Sequence, residues 1–228
     1  MMDVHSHIIP FVDDGSDSLD ISISMIEEEI KQGVDKIICT PHFRKGVFEK
    51  TGEEIKNNFD ILKKEVERKN LPVALYLGRE ITIDRRLKDV LKDDYTTING
   101  SEYVLLEFPY TTATDVDEVC YEVSLLGFKP IIAHIERYSY FRNFDEISAV
   151  RKNGALVQVN ANALAGKCGL KDKIFIKGLL TRNLVDLVGS DVHHGRQNYM
   201  ADAYLKVKKK YPEIAEKIFI SNAEKIIK

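Results

Sequence analysis

Five of the chain's six histidines, and four of its carboxylates, stand where a short apolar run gives out: His5 and His7, Asp14, His42, Glu80, Glu107, His134, then Asp191 and His193. Imidazole nitrogens and carboxylate oxygens together form a mixed donor set suited to divalent cations. Nine ligands, at about three or four per ion with some carboxylates bridging, suit two or three metals. His5 and His7, one residue apart on an extended segment, point the same way and can grip one ion together. Alone, that pair or the Asp13-Asp14-Gly15 turn would say little, since both patterns are common. What carries weight is their coincidence across six strand ends. Glu107, in the apolar run Tyr103-Val104-Leu105-Leu106-Glu107-Phe108, would carry a large desolvation cost unless a cation met it.

Charge narrows the chemistry. Three divalent ions against four carboxylates leave a surplus of about two positive charges, which favours an anionic substrate and a metal-bound hydroxide. Arg137 stands three residues beyond His134, and Arg196 three beyond His193, both placed to fork onto phosphate oxygens. Either alone reads equally well as a surface ion-pair arginine, and the equivalent offsets favour phosphate. A cysteine-nucleophile phosphatase needs an arginine closing the loop after its thiolate. Six residues beyond Cys39, Cys120 and Cys168 stand Lys45, Leu126 and Ile174, which excludes that route. Neither a Gly-rich phosphate loop nor a GxSxG elbow occurs.

These residues need elements to bring them together. Seven apolar, β-branched runs recur: Met2 to Val4, Lys36 to Thr40, Val73 to Leu77, Tyr103 to Leu106, Pro130 to Ala133, Leu156 to Val159 and Val185 to Val188. Helical spacing fills the gaps. Leu19, Ile23, Ile26 and Ile30 share a face that Gly33 ends; Thr51 and Glu54 form a capping box before the stripe Ile55, Phe59, Leu62, Val66. A third helix starts near Thr114 and stops at Gly127, shorter ones follow Leu87, Asn143 and Lys171, and the tail from Gln197 breaks at Pro212. Alternating strands and helices imply a parallel sheet, either a (β/α)7 barrel or an open doubly wound sheet. In a barrel every candidate ligand falls at the carboxyl end of a strand, where α/β barrels build their sites. Only the sixth strand lacks one; its Asn160 and Asn162 are candidate supporting donors.

The chain has 228 residues, a formal net charge of −3 and 44% hydrophobic residues, so it suits one domain over 1–228 and offers no basic surface for general nucleic-acid binding. Three cysteines without metal spacing read as reduced, packed thiols. No window reaches the roughly 20 apolar residues of a membrane span, and the acidic N-terminus is unlike a secretory signal, so a cytoplasmic, soluble protein is expected.

Asp3-Val4-His5-Ser6-His7, Asp13-Asp14-Gly15, Thr40-Pro41-His42, Gly78-Arg79-Glu80-Ile81, Leu106-Glu107-Phe108, Ala133-His134-Ile135-Glu136-Arg137 and Gly189-Ser190-Asp191-Val192-His193 resemble the polymerase and histidinol phosphatase (PHP) superfamily. More closely, they resemble the manganese-dependent bacterial tyrosine-protein phosphatases encoded with capsular and exopolysaccharide synthesis genes. The likeness runs from residue 2 to about residue 225. It implies a distorted (β/α)7 barrel holding three metals, commonly manganese, with iron, magnesium or zinc as alternatives. One ion would take His5, His7, Glu80 and Asp191; a second would share Glu80 and add Glu107 and His134; a third would take Asp14, His42 and His193. Hydroxide would attack phosphorus in line while Arg137 and Arg196 neutralise charge on the group. The implied partner is the phosphotyrosine tail of a membrane-associated tyrosine autokinase. Two features depart from or subdivide the pattern: His194 where relatives often have Asn, and the loop Phe43 to Phe48, which either frames substrate or is a solvated basic turn.

Three other readings use the same framework: a small-molecule phosphatase acting on histidinol phosphate, a hydrolase of carbon–nitrogen bonds, and a non-catalytic barrel. The second typically needs a bridging carboxylated lysine where Glu80 and Glu107 stand here. The third would be marked by lost ligands, and all nine are kept. Oligomerisation is left open by the sequence.

Overall fold

The structure, a computed structural model, describes residues 1–228. It opens with β1 (Met2–Ser6), α1 (Leu19–Lys31), β2 (Lys36–Cys39), β3 (His42–Phe43), α2 (Gly52–Arg68), β4 (Ala74–Leu77), β5 (Glu80–Thr82) and α3 (Leu87–Val90). β6 (Tyr103–Glu107), α4 (Val116–Leu125), β7 (Lys129–Ile132), α5 (Phe144–Lys152), β8 (Leu156–Asn160), α6 (Ala161–Leu164), α7 (Leu170–Thr181) and β9 (Leu187–Gly189) follow. The tail holds α8 (Met200–Lys210), α9 (Pro212–Glu216), a π-helical turn and α10 (Ala223–Ile226).

All strand pairs are parallel, in the orders β1-β2-β4 and β3-β5-β6-β7-β8-β9. The nine segments occupy seven strand positions. The second and third are each broken, at Thr40-Pro41 between β2 and β3 and at Gly78-Arg79 between β4 and β5. Proline cannot donate to a ladder, so a break at Pro41 follows from its chemistry. The sheet curls back on itself. Ser6 and Val192 form a parallel bridge, Asp191 N–H donates to His5 O at 2.8 Å, and His7 N–H donates to Val192 O at 3.1 Å. The barrel expectation holds over the open sheet.

The expected helices form with small shifts. The Thr51–Glu54 capping box closes reciprocally, and Ile55, Phe59, Leu62 and Val66 are buried under α2. Asp115 caps α4, which begins at Val116, two residues after the expected start, and Asn143 caps α5. α6 was not expected; its four residues follow directly from β8. Met2, Val4, Ile38, Leu105, Ile131 and Leu187, from five strands, touch one another together with Ala223 and Ile226 of α10. Residues from non-neighbouring strands meet only inside the curl, so α10 plugs its lower end. The larger apolar cluster fills the layer between strands and helices.

Gly189 ends β9 against β1: a Cβ there would lie 2.4 Å from His5 Cβ. Gly189→Ala is expected to destabilise the fold by about 1–3 kcal/mol through overpacking, read as a lower urea midpoint; an unchanged midpoint would contradict this packing.

Candidate metal centre

The structure brings all nine sequence-predicted side chains to one end of the barrel. Their focus is Glu80, a fully buried carboxylate at the start of β5. Its Oε2 lies 2.8 Å from His42 Nδ1, 3.3 Å from His5 Nε2 and 3.4 Å from His7 Nε2, while its Oε1 lies 2.9 Å from His134 Nε2. The imidazoles of His5 on β1 and His7 just past its end face each other across 3.1 Å between Nε2 atoms. Asp191 Oδ1 stands 3.5 Å from His7 and 3.8 Å from His5. Glu107 approaches His134 at 3.8 Å, and Asp14 reaches His193 at 3.6 Å and His42 at 3.8 Å. Asp14 is half exposed, so it closes the group from the solvent side.

Unmatched polar atoms among these side chains suit cations. Glu80 Oε2 and His42 Nδ1 are both buried and lack a hydrogen-bond partner, despite lying 2.8 Å apart. Their angles do not suit a hydrogen bond, and buried orphans of this kind are costly. Donor atoms of His5, His7 and Glu80, of His42, Glu80 and Glu107, and of His7, His42 and His193 each gather within 4.8 Å. That geometry and chemistry fit divalent cations.

The backbone is bent to achieve this. The β1–β2 register shifts between Asp3 and Ser6, an irregularity that re-aims His5. His134 has φ 29° and Asp191 φ 53°, left-handed conformations that non-glycine residues rarely hold without a functional reason. Gly15 allows its loop to pack on His7, since a Cβ there would sit 2.0 Å from His7 O.

Outer nitrogens are held as metal-ligating imidazoles require. Asp13 Oδ2 accepts from His7 Nδ1 at 2.8 Å, Gln158 Oε1 meets His5 Nδ1 at 3.2 Å, Tyr138 OH meets His134 Nδ1 at 3.1 Å, and His193 Nδ1 donates to Asp191 O at 3.0 Å. β8 ties these together: Gln158 Oε1 also accepts from His134 N–H, Gln158 Nε2 donates to Asn160 Oδ1, and Asn160 Nδ2 donates to Asp191 Oδ2 at 2.9 Å. Asn160 therefore plays the expected supporting part. Asn162 makes no side-chain contact to the group and instead lines the adjoining cavity. Sequence reasoning missed Gln158 and Tyr138. A glutamine inside the apolar run Leu156–Val159 was the available signal for the first.

Arg137 departs from its expected pose. Its guanidinium pairs with Asp191 Oδ2 at 2.7 Å and donates to Tyr110 OH at 3.1 Å, so it is anchored to the centre while still lining the adjoining cavity. Burial alone would raise Asp191, but His5 and then Arg137 outweigh it and hold the carboxyl well below its ordinary range. Tyr110 OH in turn donates to Glu107 Oε1, and Thr82 Oγ1 donates to Glu107 Oε2 at 2.6 Å. Arg196 is exposed and shares with Arg137, Asn160, Asn162 and Lys167 a cavity of about 360 Å³. Lys167 is a further cation that sequence reasoning missed. Of the Phe43–Phe48 loop, Phe43 is buried beneath the Arg79 guanidinium and Phe48 stacks on His42 at 5.5 Å, which sets the loop over the group. His194 is exposed, its N–H donating to Gly15 O. All three cysteines are free thiols; Cys39 and Cys120 are buried and Cys168 half-buried.

Burial alone would raise Glu80, but the imidazoles of His5, His134 and His42 outweigh it and hold the carboxyl well below its ordinary range. Asp13 is likewise held at about 2, burial being overcome by His7. Burial, reinforced by His7, pushes His193 down to about 4, so its imidazole is neutral with Nε2 free to ligate. Burial also lowers His134.

The chain covers a known family over its whole length. Residues 1–228 match the family described as capsular polysaccharide synthesis, CpsB/CapC. The chain belongs to that family. Tyrosine-protein phosphatase CpsB of Streptococcus agalactiae is 34% identical over 244 residues, covering 100% of this chain and 98% of the relative. Tyrosine-protein phosphatase YwqE of Bacillus subtilis is 30% identical over 233 residues, covering 100% and 92%. A solved structure from work on YwqE of Bacillus subtilis and CpsB of Streptococcus pneumoniae, described as unique metal-dependent tyrosine phosphatases, superposes with a TM-score of 0.90 at 30% identity over 100% of this chain and 94% of that one. A Listeria monocytogenes lactonase, with a TM-score of 0.64 at 13% identity, shares the fold.

Glu136, buried beside Arg137, is pushed up to about 7 by burial. Folding therefore takes up a proton between the ordinary glutamate value and about 7, and stability falls as pH rises through that window. Glu136→Gln is expected to gain on the wild type by up to a few kcal/mol in urea melts as pH goes from 5 to 8; a pH-independent difference would contradict this.

Proposed function

We propose that this chain is a metal-dependent protein-tyrosine phosphatase acting through the Glu80-centred group, with residues 1–228 working as one domain. Within this reading the nine side chains hold three cations, manganese by preference, in the sets His5-His7-Glu80-Asp191, Glu80-Glu107-His134 and Asp14-His42-His193. The observation that carries it is the pair of orphaned buried atoms, Glu80 Oε2 and His42 Nδ1, among mutually facing imidazoles. Full-length similarity to named tyrosine phosphatases supplies the substrate class, which the histidinol phosphate alternative lacks.

Divalent cations held there supply an activated water and charge neutralisation at phosphorus. The chain's own residues do the remaining work. Asp13, Gln158 and Tyr138 keep the imidazoles of His7, His5 and His134 turned inward. Arg196 and Lys167 bind phosphoryl oxygens from the cavity wall. Arg137 stands between the two tasks, gripping Asp191 and lining the same cavity, from which its forked guanidinium also meets phosphate. Tyr110, stacked against Tyr138 and hydrogen-bonded to Arg137, walls the path to the group. A phenolate leaves readily, so no dedicated proton donor is required. The substrate proposed is the phosphotyrosine tail of a membrane-associated tyrosine kinase, met in the cytoplasm; no helix of the chain is long and apolar enough to cross a membrane.

Chelator-stripped protein is expected to lose at least about 100-fold of its activity on a phosphotyrosine peptide and recover it with manganese, while histidinol phosphate turns over poorly. Cys39→Ser, Cys120→Ser and Cys168→Ser together should leave the rate in place. Activity that survives chelation, or dies with the cysteines in a protein that still melts normally, would overturn the reading. Arg137→Ala should lower kcat/KM by about 10²–10³ and Arg196→Ala by less, in steady-state assays with the same peptide.

A further inference from the structure

We propose that the α7–α8 face is a docking surface for an anionic lipid bilayer. Lys173 and Lys177 of α7 and Lys206 and Lys210 of α8 rim a cavity of about 260 Å³ floored by Leu164, Ile176, Leu180 and Val207. None of the four pairs with a carboxylate; the lysines that do, such as Lys31, Lys50 and Lys129, lie elsewhere. Lys206 Nζ donates to a backbone carbonyl, that of Ala165. The acid within α7, Asp172, is spent on Arg142 at 2.6 Å. Beside the lysines, Leu170 is 75% exposed, and Ile174 and Leu205 are each 64% exposed. Leu170 and Ile174 are four residues apart, hence on one face of α7.

Charge is segregated to match. Residues 165–211 carry ten lysines and arginines against four aspartates, in a chain whose overall charge is −3. The rest of the molecule is therefore acidic, and a negative surface would orient it with this face inward.

Three kinds of anionic partner could meet such lysines, and the aliphatic residues choose among them. Protein interfaces deplete lysine and anchor on aromatic residues and arginine. Single-stranded nucleic acid needs exposed rings for stacking, whereas Tyr211 here is half-buried with its hydroxyl near Thr181. A bilayer uses both parts of the surface: lysines reach the headgroups while Leu170, Ile174 and Leu205 enter the headgroup boundary. The face begins at the rim of the catalytic end, because Cys168 and Asp172 line a cavity with Arg137. Docking on the side wall would leave that opening clear.

The test is co-sedimentation of the full chain with phosphatidylcholine vesicles, with and without phosphatidylglycerol. Binding is expected only to vesicles containing phosphatidylglycerol, and to weaken as salt rises. Lys173→Gln, Lys177→Gln, Lys206→Gln and Lys210→Gln combined should reduce it about tenfold or more, while Lys63→Gln with Lys64→Gln on α2 leaves it intact. Leu170→Ser with Ile174→Ser should weaken vesicle binding and spare binding to soluble polyglutamate. Circular dichroism of each variant establishes that it is folded. No retention on phosphatidylglycerol vesicles, equal retention by the folded lysine variant, or vesicle binding indifferent to the Leu170 and Ile174 changes would overturn the proposal; the last would leave a general polyanion site.

Discussion

A carboxylate removed from water and ringed by imidazoles is tolerable only if positive charge sits with it, and Glu80 is placed in that position. Its Oε2 faces three imidazole nitrogens and satisfies none of them as a hydrogen-bond acceptor. Against burial, Glu80 raises the His5 imidazole and Asp13 raises that of His7, so protonation there supplies part of the charge, yet packed imidazolium groups repel one another, and His193 is held neutral beside His7. Divalent cations relieve both problems at once, turning neutral imidazoles from competitors into ligands. The surrounding structure is arranged around that requirement.

Several backbone features that look like defects serve it. The break at Gly78-Arg79 stops one strand and restarts it at Glu80, and the break at Thr40-Pro41 restarts another at His42. Each restart sets a candidate ligand on a new short ladder, β3 pairing His42 with Glu80 in register. The irregularity before Ser6 turns His5, and left-handed backbone at His134 and Asp191 turns two more. Strain held at several ligands in one small region is hard to justify by stability, and it is the usual mark of a preorganised site.

Much of this was legible in the sequence because strand ends are visible where apolar runs stop. His5, Glu107, His134 and Asp191 fall by that rule, while regular alternation fits a barrel and an open sheet alike and only the family resemblance implies the barrel. The interrupted strands were not legible, since a three-residue ladder such as Glu80–Thr82 leaves no periodic signal. The orienting residues were partly hidden for another reason. Asp13 reads as a turn residue and Tyr138 carries no signal of its own, and only folding shows that each meets an imidazole. Arg137 was identified by its offset from His134, but its pairing with Asp191 depends on charges contributed by other strands. The lysine-rimmed cavity between α7 and α8 could not be read either, because it joins residues that are about thirty positions apart and separated by β9.

The central claim is that Glu80 is the shared seat of bound cations. Anomalous diffraction at the manganese edge, from crystals of the wild type and of Glu80→Gln grown with manganese, addresses it directly. The account predicts peaks within bonding distance of Glu80 and the imidazoles of His5, His42 and His134 in the wild type, lost or displaced in the variant. A wild-type map without peaks there, or an identical set of peaks in Glu80→Gln, would contradict it.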